Sequence, residues 1–423
     1  MGDSNEYSRY DADTGIRMGY LLRRLLFATR FNDSKIVFSR DVTPDSRMLF
    51  ARDIRERVRR IAPFLQYDGD PYAFIADGRL MWLVDGMTPS TAYPYAERFG
   101  DHLNYIRNSV KATVDAYSGE VSFYIIDPED PLAATYARVF PGLFKPASEM
   151  PESIANHLRY PEDLFKIQTR MYAMYHMTDP EVFYNREDLW GLPREIYKGQ
   201  QQEVSPYYVN MQLPGEQGVS FVLFTPFTPS RKDNMVAWLA VSSDVDEYGR
   251  MVAFNFGKQH VVFGPMQIEA QIDQDTEISK MLSLWNQSGS TVIRGNLLVY
   301  PIDGSILYVE PLFLAAQASQ LPQLKRVIVS DGTKVEIGSD LPDALAALTG
   351  WRKSSGTSTL TEADVDQPGY GGEGAVDQDG LSAGAALDLY RRAQERLRAG
   401  DLAGYEQLQR QLEQVLKSMA DGE

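Results

Sequence analysis

Three Asp-Gly dipeptides, each placed between two strand-like runs, constrain the fold of this chain more than any other feature. Asp77-Gly78, Asp303-Gly304 and Asp331-Gly332 are flanked on both sides by short runs of aliphatic and aromatic residues. Asp-Gly tolerates the positive φ angles that two-residue hairpin turns require. The sequence therefore predicts tight hairpins at these points, and a hairpin pairs its strands antiparallel.

Other strand signals extend this prediction. Residues 105–116 and 121–127, joined by a short turn, predict a second strand pair in the same sheet as the first hairpin. Residues 219–225 and 235–241 are continuous apolar runs, which are typical of strands covered on both faces. Residues 266–273 alternate apolar and polar side chains, which predicts a strand with one wet face.

Helical signals begin near the amino terminus. Residues 16–30 place leucines between arginines at helical spacing, which predicts an amphipathic helix with a basic polar face. Thr43-Pro44 predicts the start of a second helix, because threonine caps free amides and proline suits the first helical position. The predicted core stripe of that helix is Phe50, Ile54, Val58 and Ile61.

The same cap-then-proline pattern recurs further along the chain. It predicts helices that start at Asp130-Pro131 and Asp179-Pro180, with a longer helix from Pro161 to about Met177 between them. Two more helices are predicted over residues 277–285 and 342–348.

Together these signals predict an α+β fold with largely antiparallel sheets, helical insertions and a C-terminal helical hairpin. The predicted divisions are 1–130, an N-terminal α+β region with basic helices; 131–203, a helical insertion; 204–351, a mainly β region; 352–383, a flexible acidic Gly-rich linker; and 384–423, the helical hairpin. The linker prediction rests on six glycines and six acidic residues within 354–383, which leave too little apolar surface to offset chain entropy.

Charge is distributed unevenly. The net charge is -16, yet residues 16–60 hold twelve Arg or Lys against five Asp or Glu, a local excess of +7. An acidic chain is poorly suited to neutralising nucleic-acid phosphates, so we expect no nucleic-acid partner. A basic face on an acidic body instead indicates orientation or docking.

The sharpest candidate site is the arginine-rich end of this basic segment. Arg52, Arg55, Arg59 and Arg60 are predicted to form a docking or lipid-headgroup face, with two acidic residues between them. One interpretation is a solvated helix face with intrahelical ion pairs. The functional interpretation is contact with anionic lipid headgroups or with acidic loops of a partner.

No catalytic, cofactor-binding or metal-ligating residues are predicted. The sequence has no cysteine, which excludes disulfides, thiolate metal sites and cysteine nucleophiles. The four histidines, His102, His157, His176 and His260, are far apart, which favours surface or packing roles over a zinc site. Glycine motifs within residues 369–384 lack the preceding strand that a dinucleotide site or a nucleophile elbow needs.

Two groups of carboxylates have the spacing for acid–base chemistry: Asp127, Glu129 and Asp130, and Glu187 with Asp188. Asp130 precedes a proline in a cap position, so helix capping and solvated turns are the favoured interpretation. Residues 244–249 imitate half of a calcium loop, but its twelfth position is Asn255 rather than Glu, so a hairpin turn is favoured there.

Long blocks across the chain carry a family resemblance. They are residues 42–47, 54–65 (IRERVRRIAPFL), 70–82 (DPYAFIADGRLMW), 105–117 (YIRNSVKATVDAY), 127–131 (DPEDP), 158–165 (LRYPEDLF), 175–190 (YHMTDPEVFYNREDLW), 232–240 (KDNMVAWLA), 264–275 (GPMQIEAQIDQD) and 285–301. On these blocks the chain resembles the soluble C-terminal region of the UPF0182 family.

The resemblance implies a multi-pass membrane protein of the cell membrane whose large soluble region lies outside the cytoplasm. It implies no activity, catalytic residues or cofactor. We therefore expect this chain to be the soluble, noncatalytic part of a longer protein. Its expected partners are its own N-terminal transmembrane region, an anionic membrane surface and copies of itself. No apolar run in the chain approaches the roughly 20 residues that span a bilayer.

The alternative is a carboxylate-dependent hydrolase or carbohydrate-binding domain that uses the abundant aromatic residues, which include 24 Tyr and 5 Trp. A groove lined by Tyr or Trp with two carboxyl groups about 5–10 Å apart would favour this alternative. A broad apolar or basic patch near residues 16–60 would favour docking.

Overall fold

The computed structural model describes residues 10–100, 103–216, 218–257, 261–286, 290–302, 304–316 and 321–350, together with Arg392, Arg396 and Leu408. Residues 10–350 belong to one compact unit, and the last three described residues belong to a second. The predicted linker lies outside the described residues, as does the helical hairpin apart from those three.

The prediction of an α+β fold with largely antiparallel sheets is confirmed. In chain order the strands are β1 (Ile16–Arg17), β2 (Arg47–Met48), β3 (Gln66–Tyr67), β4 (Tyr72–Ala76), β5 (Arg79–Ser90), β6 (Tyr105–Asp115), β7 (Val121–Ile125), β8 (Phe144–Pro146), β9 (Trp190–Gly191), β10 (Arg194–Tyr197), β11 (Gln200–Glu203), β12 (Tyr207–Met211), β13 (Ser220–Pro229), β14 (Ala237–Ser242), β15 (Met251–Asn255), β16 (Ser290–Arg294), β17 (Leu298–Ile302), β18 (Ser305–Ala316), β19 (Gln323–Ser330) and β20 (Val335–Gly338).

Helices connect and cover these strands. They are α1 (Leu21–Phe31), α2 (Lys35–Phe38), α3 (Ile54–Ile61), α4 (Pro131–Val139), α5 (Glu152–Ala155), α6 (Glu162–Tyr175), α7 (Pro180–Asn185), α8 (Pro265–Gln274), α9 (Thr276–Trp285) and α10 (Leu341–Thr349), with 3₁₀ turns at Ala147–Glu149 and Val245–Glu247. The predicted caps Asp130 and Asp179 accept backbone N–H groups at the starts of α4 and α7, as expected.

The strands form three main sheets. The first has the order β3-β5-β6-β7-β8 with β4 beside β5, and only its β7–β8 pair is parallel. The second has the order β12-β13-β14-β15 with β9 beside β13, and the third has the order β16-β18-β19-β20 with β17 beside β18. All three predicted Asp-Gly hairpins are confirmed, since β4 pairs with β5, β17 with β18, and β19 with β20.

The second sheet lies at the centre of the core. One of its faces packs against α6 through Leu164 and Phe165. Its other face packs against the third sheet and against α8, with Phe224 and Ile268 in the same cluster. All six residues of β14 are buried. In β13, burial begins at Val222, and Val219 is 69% exposed. The prediction of strands covered on both faces is therefore confirmed for residues 222–225 and 237–241.

The prediction of a helix starting at Thr43 is wrong. Thr43 and Ser46 instead close a turn, in which the Thr43 N–H donates to Ser46 Oγ (2.9 Å). The next two residues form β2, which pairs with β1 and so takes up the backbone groups that a helix would need. Helix α3 starts only after Asp53, whose Oδ1 accepts the N–H of Glu56 (2.8 Å).

The prediction of a strand at residues 266–273 is also wrong, because this segment forms α8. Gly264 precedes Pro265 at the first helical position, and the Gly264 N–H donates to Gln267 Oε1 (3.0 Å). Ile268 and Ile272 are four residues apart, so in a helix both face the core. The alternating pattern arose because this helical spacing also satisfies a period of two.

Candidate functional site

The amino-terminal helix α1 contacts the body through its aromatic side. Phe27 is buried, and its ring centroid lies 5.6 Å from that of Phe50 and 6.0 Å from that of Phe31. Arg24 Nε donates to the carbonyl of Met18 (2.7 Å). These contacts determine which side of the helix faces inward. The helix begins at residue 21 rather than 16, because residues 16–17 form β1.

The outward side of α1 is apolar. Leu21, Leu22, Leu25 and Leu26 are 63%, 67%, 47% and 62% exposed. At 3.6 residues per turn they occupy an arc of about 140°, which we call the leucine face. A helix on a globular protein usually turns such a stripe toward the core. An exposed apolar patch of this kind marks a surface that contacts a partner or a membrane.

Basic side chains lie close to the leucine face. Arg17, Arg23 and Arg30 are exposed, and the Arg23 guanidinium lies 5.1 Å from the centre of the Tyr20 ring. Phe38, at the end of α2, is also exposed, at 81%. The predicted amphipathic helix is thus present, with its apolar side turned outward.

The four predicted docking arginines lie on or next to helix α3. Arg55, Arg59 and Arg60 line one shallow depression on its outer side, and Arg52 precedes the capping residue of the helix. All four are exposed. We call these four residues the arginine face.

Intrahelical pairing accounts for part of the arginine face. Arg60 pairs with Glu56 one turn earlier, as the solvated-helix interpretation predicts. Within the described part of the chain, Arg52, Arg55 and Arg59 form no ion pair. Three of the four guanidinium groups therefore remain available for an anionic partner.

A buried ionic cluster that the sequence analysis missed joins α8 to the third sheet. Arg294 Nε donates to Glu310 (2.5 Å), Nη1 donates to Asp273 (2.6 Å), and Nη2 donates to Glu269. Burial raises the pKa of Glu269 to about 8, and Glu310 adds to the rise while Arg294 opposes it. Burial also raises the pKa of Glu310. The Arg294 guanidinium therefore forms ion pairs with two buried carboxylates.

A second buried network joins the first sheet to the second. The Lys111 ammonium donates to Asp85, to the Arg159 carbonyl (2.8 Å) and to the Tyr248 hydroxyl. Asn108 also donates to Asp85 (3.0 Å). Burial lowers the pKa of Lys111 and raises that of Asp85, and the attraction between the two charges opposes both shifts. This network is enclosed by the protein, which favours a structural role.

A sequence signal for both clusters existed. Lys111 lies inside the strand YIRNSVKATVD, and Glu310 lies inside SILYVEPLFLAA. Glu310 is the one charged residue of its strand, whereas the strand of Lys111 also contains Arg107 and Asp115. A charge at a buried strand position requires a buried partner. The identity of each partner was not predictable from the sequence. Strand pairing alone brings Asp85 next to Lys111 and Arg294 next to Glu310.

Among the carboxylates singled out from the sequence, Asp130 caps α4 and Asp127 pairs with Arg107 (3.0 Å). Asp130 is buried and accepts hydrogen bonds from Thr88, Ser109, Tyr105 and the Leu132 and Ala133 N–H groups. Although burial raises its pKa, the hydrogen bonds from Ser109 and Thr88 hold that pKa below its usual value. Residues 245–247 form a 3₁₀ turn between β14 and β15, which agrees with the predicted hairpin turn.

The two described histidines pack against aromatic rings. The His157 ring lies 4.9 Å from that of Phe74, and the His176 ring lies 3.6 Å from that of Trp190. His102 and His260 lie outside the described residues. Within the described ranges, no group of three or more His, Asp or Glu side chains is placed to hold a metal ion.

The hydrolase or carbohydrate-binding alternative called for an aromatic groove with two carboxyl groups. A groove of about 610 Å³ beside α6 is lined by Tyr95, Tyr172 and Tyr175. Among its described lining residues, Glu97 is the single carboxylate. Paired-carboxylate hydrolysis needs two such groups across the scissile bond. The described part of the groove thus supplies aromatic rings and one carboxylate.

Among the described residues, no helix combines the length and the apolar character needed to cross a membrane.

Comparison with known proteins identifies the family. The profile of the uncharacterised protein family UPF0182 matches residues 1–285. A UPF0182 protein of Pelotomaculum thermopropionicum is 48% identical over 420 residues, which is 99% of this chain and 45% of the relative. A UPF0182 protein of Desulforamulus reducens is 49% identical over 427 residues, again 99% of this chain and 45% of the relative.

The similarity extends to an archaeal sequence. A UPF0182 protein of Methanospirillum hungatei is 48% identical over 413 residues, which is 96% of this chain and 45% of the relative. The chain spans slightly less than half the length of these curated relatives. No solved structure matches it. The extent and level of identity show that the chain belongs to the UPF0182 family.

Proposed function

We propose that this chain is the extramembrane part of a UPF0182 membrane protein and that it docks on an anionic bilayer surface. The leucine face of α1 is the observation that carries this proposal. The docking surface consists of the leucine face and the arginine face. Its role is assembly at the membrane rather than catalysis.

The energy available from the leucine face is substantial. Burying a leucine side chain contributes roughly 1.5–3 kcal/mol when the whole side chain leaves water. The four leucines are each about half to two-thirds exposed. Their insertion at the boundary between headgroups and acyl chains would therefore contribute on the order of 4 kcal/mol. Each arginine near an anionic surface adds about 1 kcal/mol.

The mixture of leucine and arginine favours a lipid surface over a bundle of membrane helices. At the bilayer surface, acyl chains and phosphate groups lie within one side-chain length of each other. Leu22 and Leu26 can enter the acyl boundary while Arg23 and Arg30 stay at the level of the headgroups. A purely apolar helix bundle would leave these guanidinium groups without anions.

Changing Leu22 and Leu26 together to serine tests the apolar part of the surface. We expect binding to vesicles that contain an anionic phospholipid to weaken at least tenfold, because two apolar anchors are lost. Co-sedimentation with vesicles measures the bound fraction. The matched control is Leu284→Ser with Leu324→Ser, two leucines that are similarly exposed outside the docking surface. The control variant should bind like the unmodified protein.

Changing Arg52, Arg55 and Arg59 together to glutamate tests the charged part. We expect this variant to lose binding to anionic vesicles at low salt, because attraction to the headgroups becomes repulsion. Arg138, Arg194 and Arg231 are also exposed, and changing them to glutamate alters the net charge equally. That control should retain binding.

Two outcomes contradict the proposal. One is binding to neutral and anionic vesicles with equal strength, and the other is no binding to either at low salt. If vesicles do not bind but sedimentation shows dimers that Leu22→Ser with Leu26→Ser disrupts, the leucine face belongs to a contact between two copies. If the proposed membrane-spanning helices of the whole protein bind the chain and vesicles do not, the leucine face contacts those helices.

A further inference from the structure

A groove beside the docking surface has the dimensions of a small-molecule site. It encloses about 710 Å³ between α3, the β1–β2 pair and the end of the first sheet at the turn between β6 and β7. Ligand sites of roughly 300–1,000 Å³ are typical. Its apolar lining includes Met48, Phe50, Ile54, Ile61, Trp82 and Val114.

Arg57 places a positive charge in the wall of this groove. Its Nε donates to the Gly119 carbonyl (2.6 Å), and its Nη1 donates to the carbonyls of Ala51 (3.0 Å) and Phe50 (3.4 Å). Within the described residues, Nη2 has no acceptor and the guanidinium has no carboxylate partner. A partly buried cation that only neutral carbonyls surround favours the binding of an anion.

The other charged groups around the groove strengthen this preference. Arg52 and Arg60 also line it. Asp115 is the carboxylate in its lining, and it is paired with Arg79 (2.7 Å). The groove therefore has an apolar floor and a cationic rim.

Gly119 is required for this arrangement. It has a φ of +72°, and a Cβ added there would lie 2.5 Å from Arg57 Nη2. The absence of a side chain at residue 119 is what allows the guanidinium to lie against this turn.

We propose that this groove binds a single amphiphile that has an acyl chain and an anionic head, either a carboxylate or a phosphate. The acyl chain of the ligand lies along Trp82 and Ile54. Its anionic head binds Arg57, and Arg52 and Arg60 add positive charge nearby. This inference rests on the proposed docking on a bilayer, which would supply such a lipid next to the groove. It adds a specific ligand class to that surface.

Tryptophan fluorescence tests the proposal on the full chain. Trp82 lines the groove, whereas the other described tryptophans, Trp190, Trp238 and Trp285, do not. A brominated fatty acid, kept below its micelle concentration, should quench part of the emission saturably. The matching brominated alcohol, which has no charge, should bind at least tenfold more weakly. Trp82→Phe should remove the saturable quenching.

Two variants separate the roles of the chain and the head. Ala116 lines the groove and is exposed, so the Ala116→Phe variant should fold. Its phenyl ring should keep the acyl chain of the ligand out of the groove. Arg57→Gln removes the charge and should weaken binding of the acid at least tenfold while leaving binding of the alcohol unchanged. Circular dichroism verifies that both variants fold.

Competition identifies the source of the anionic group. A lysophospholipid with a terminal phosphate should displace the brominated acid, whereas inorganic phosphate alone should not. If inorganic phosphate displaces the acid equally well, or if the acid and the alcohol quench equally, the proposal is overturned. Quenching that Ala116→Phe leaves intact overturns it as well.

The test is independent of the test of docking. Leu22→Ser with Leu26→Ser should abolish vesicle binding but keep the quenching by the brominated acid. Arg57→Gln should weaken the quenching but keep most of the vesicle binding. Loss of one property without the other shows which of the two proposals fails.

Discussion

Replacing Lys111 with methionine is expected to lower the free energy of unfolding by about 3–5 kcal/mol. Lys111 is fully buried and pairs with Asp85. Without the ammonium, the one remaining donor to the buried Asp85 carboxylate among the described side chains is Asn108. The Arg159 carbonyl and the Tyr248 hydroxyl also lose their shared donor. Urea denaturation monitored by circular dichroism measures the change.

A double variant distinguishes a lost ion pair from a lost packing contact. In Lys111→Met with Asp85→Leu, no charge stays buried, so the destabilisation should be smaller than for Lys111→Met alone. Burial already raises the pKa of Asp85, and loss of Lys111 should raise it further. The stability of the single variant should therefore fall as the pH rises above 3.8, the ordinary pKa of an aspartate. A penalty below about 1 kcal/mol at every pH would place this pair among those that contribute little.

Local chemistry made much of the fold predictable. The Asp-Gly hairpins depend on two residues that accept positive φ, and Asp77 and Gly78 have φ angles of 49° and 73°. The caps at Asp130 and Asp179 depend on side chains that reach the next two or three amides. Features of this kind are encoded within a few neighbouring residues, so they can be recognised without knowledge of the tertiary structure.

The two wrong predictions arose where local signals conflicted with contacts distant in sequence. Thr43-Pro44 has the chemistry of a helix start, but the pairing of β2 with β1 determines the conformation after Ser46. In α8, the alternation of residues 266–273 indicated a strand. The core contacts of Ile268 and the ion pair of Glu269 are satisfied in a helix instead. Periodicity alone does not resolve such cases.

The candidate site was predictable in composition but not in orientation. The arginines from Arg52 to Arg60 were evident as a basic run, and the structure places Arg55, Arg59 and Arg60 on the outer side of α3. The sequence did not show that the leucines of α1 face outward, because an amphipathic pattern does not say which side contacts the body. It also did not show that Arg57 turns into a groove, since that depends on the distant Gly119.

The cluster around Arg294 leads to the second large expected effect. Replacing Arg294 with methionine should lower the free energy of unfolding by about 3–5 kcal/mol near neutral pH. Glu269 and Glu310 would then face each other without a cation, and both are fully buried. Asp273 is half exposed and can be solvated, so it adds little to the penalty.

The sign of the pH dependence follows from the direction of the pKa shift. Burial raises the pKa of Glu269 from its ordinary 4.5 to about 8. Between these values the folded chain binds a proton that the unfolded chain has released, so stability falls as the pH rises. Arg294 opposes the shift, and its loss should move the pKa higher still. The variant should lose up to about 1.4 kcal/mol per pH unit for each such proton.

Acid should therefore rescue the Arg294→Met variant. We expect the free energy of unfolding of this variant to be larger near pH 5 than near pH 8, because over this range the folded chain holds a proton on Glu269 that the unfolded chain has released. Arg250 is a matched control, since it also pairs with two glutamates, Glu216 and Glu247, but at an exposed position. Arg250→Met should cost at most about 1 kcal/mol and show little pH dependence. Equal penalties for the two variants, or the same stability of Arg294→Met at both pH values, would contradict a buried pairing of Arg294 with Glu269 and Glu310.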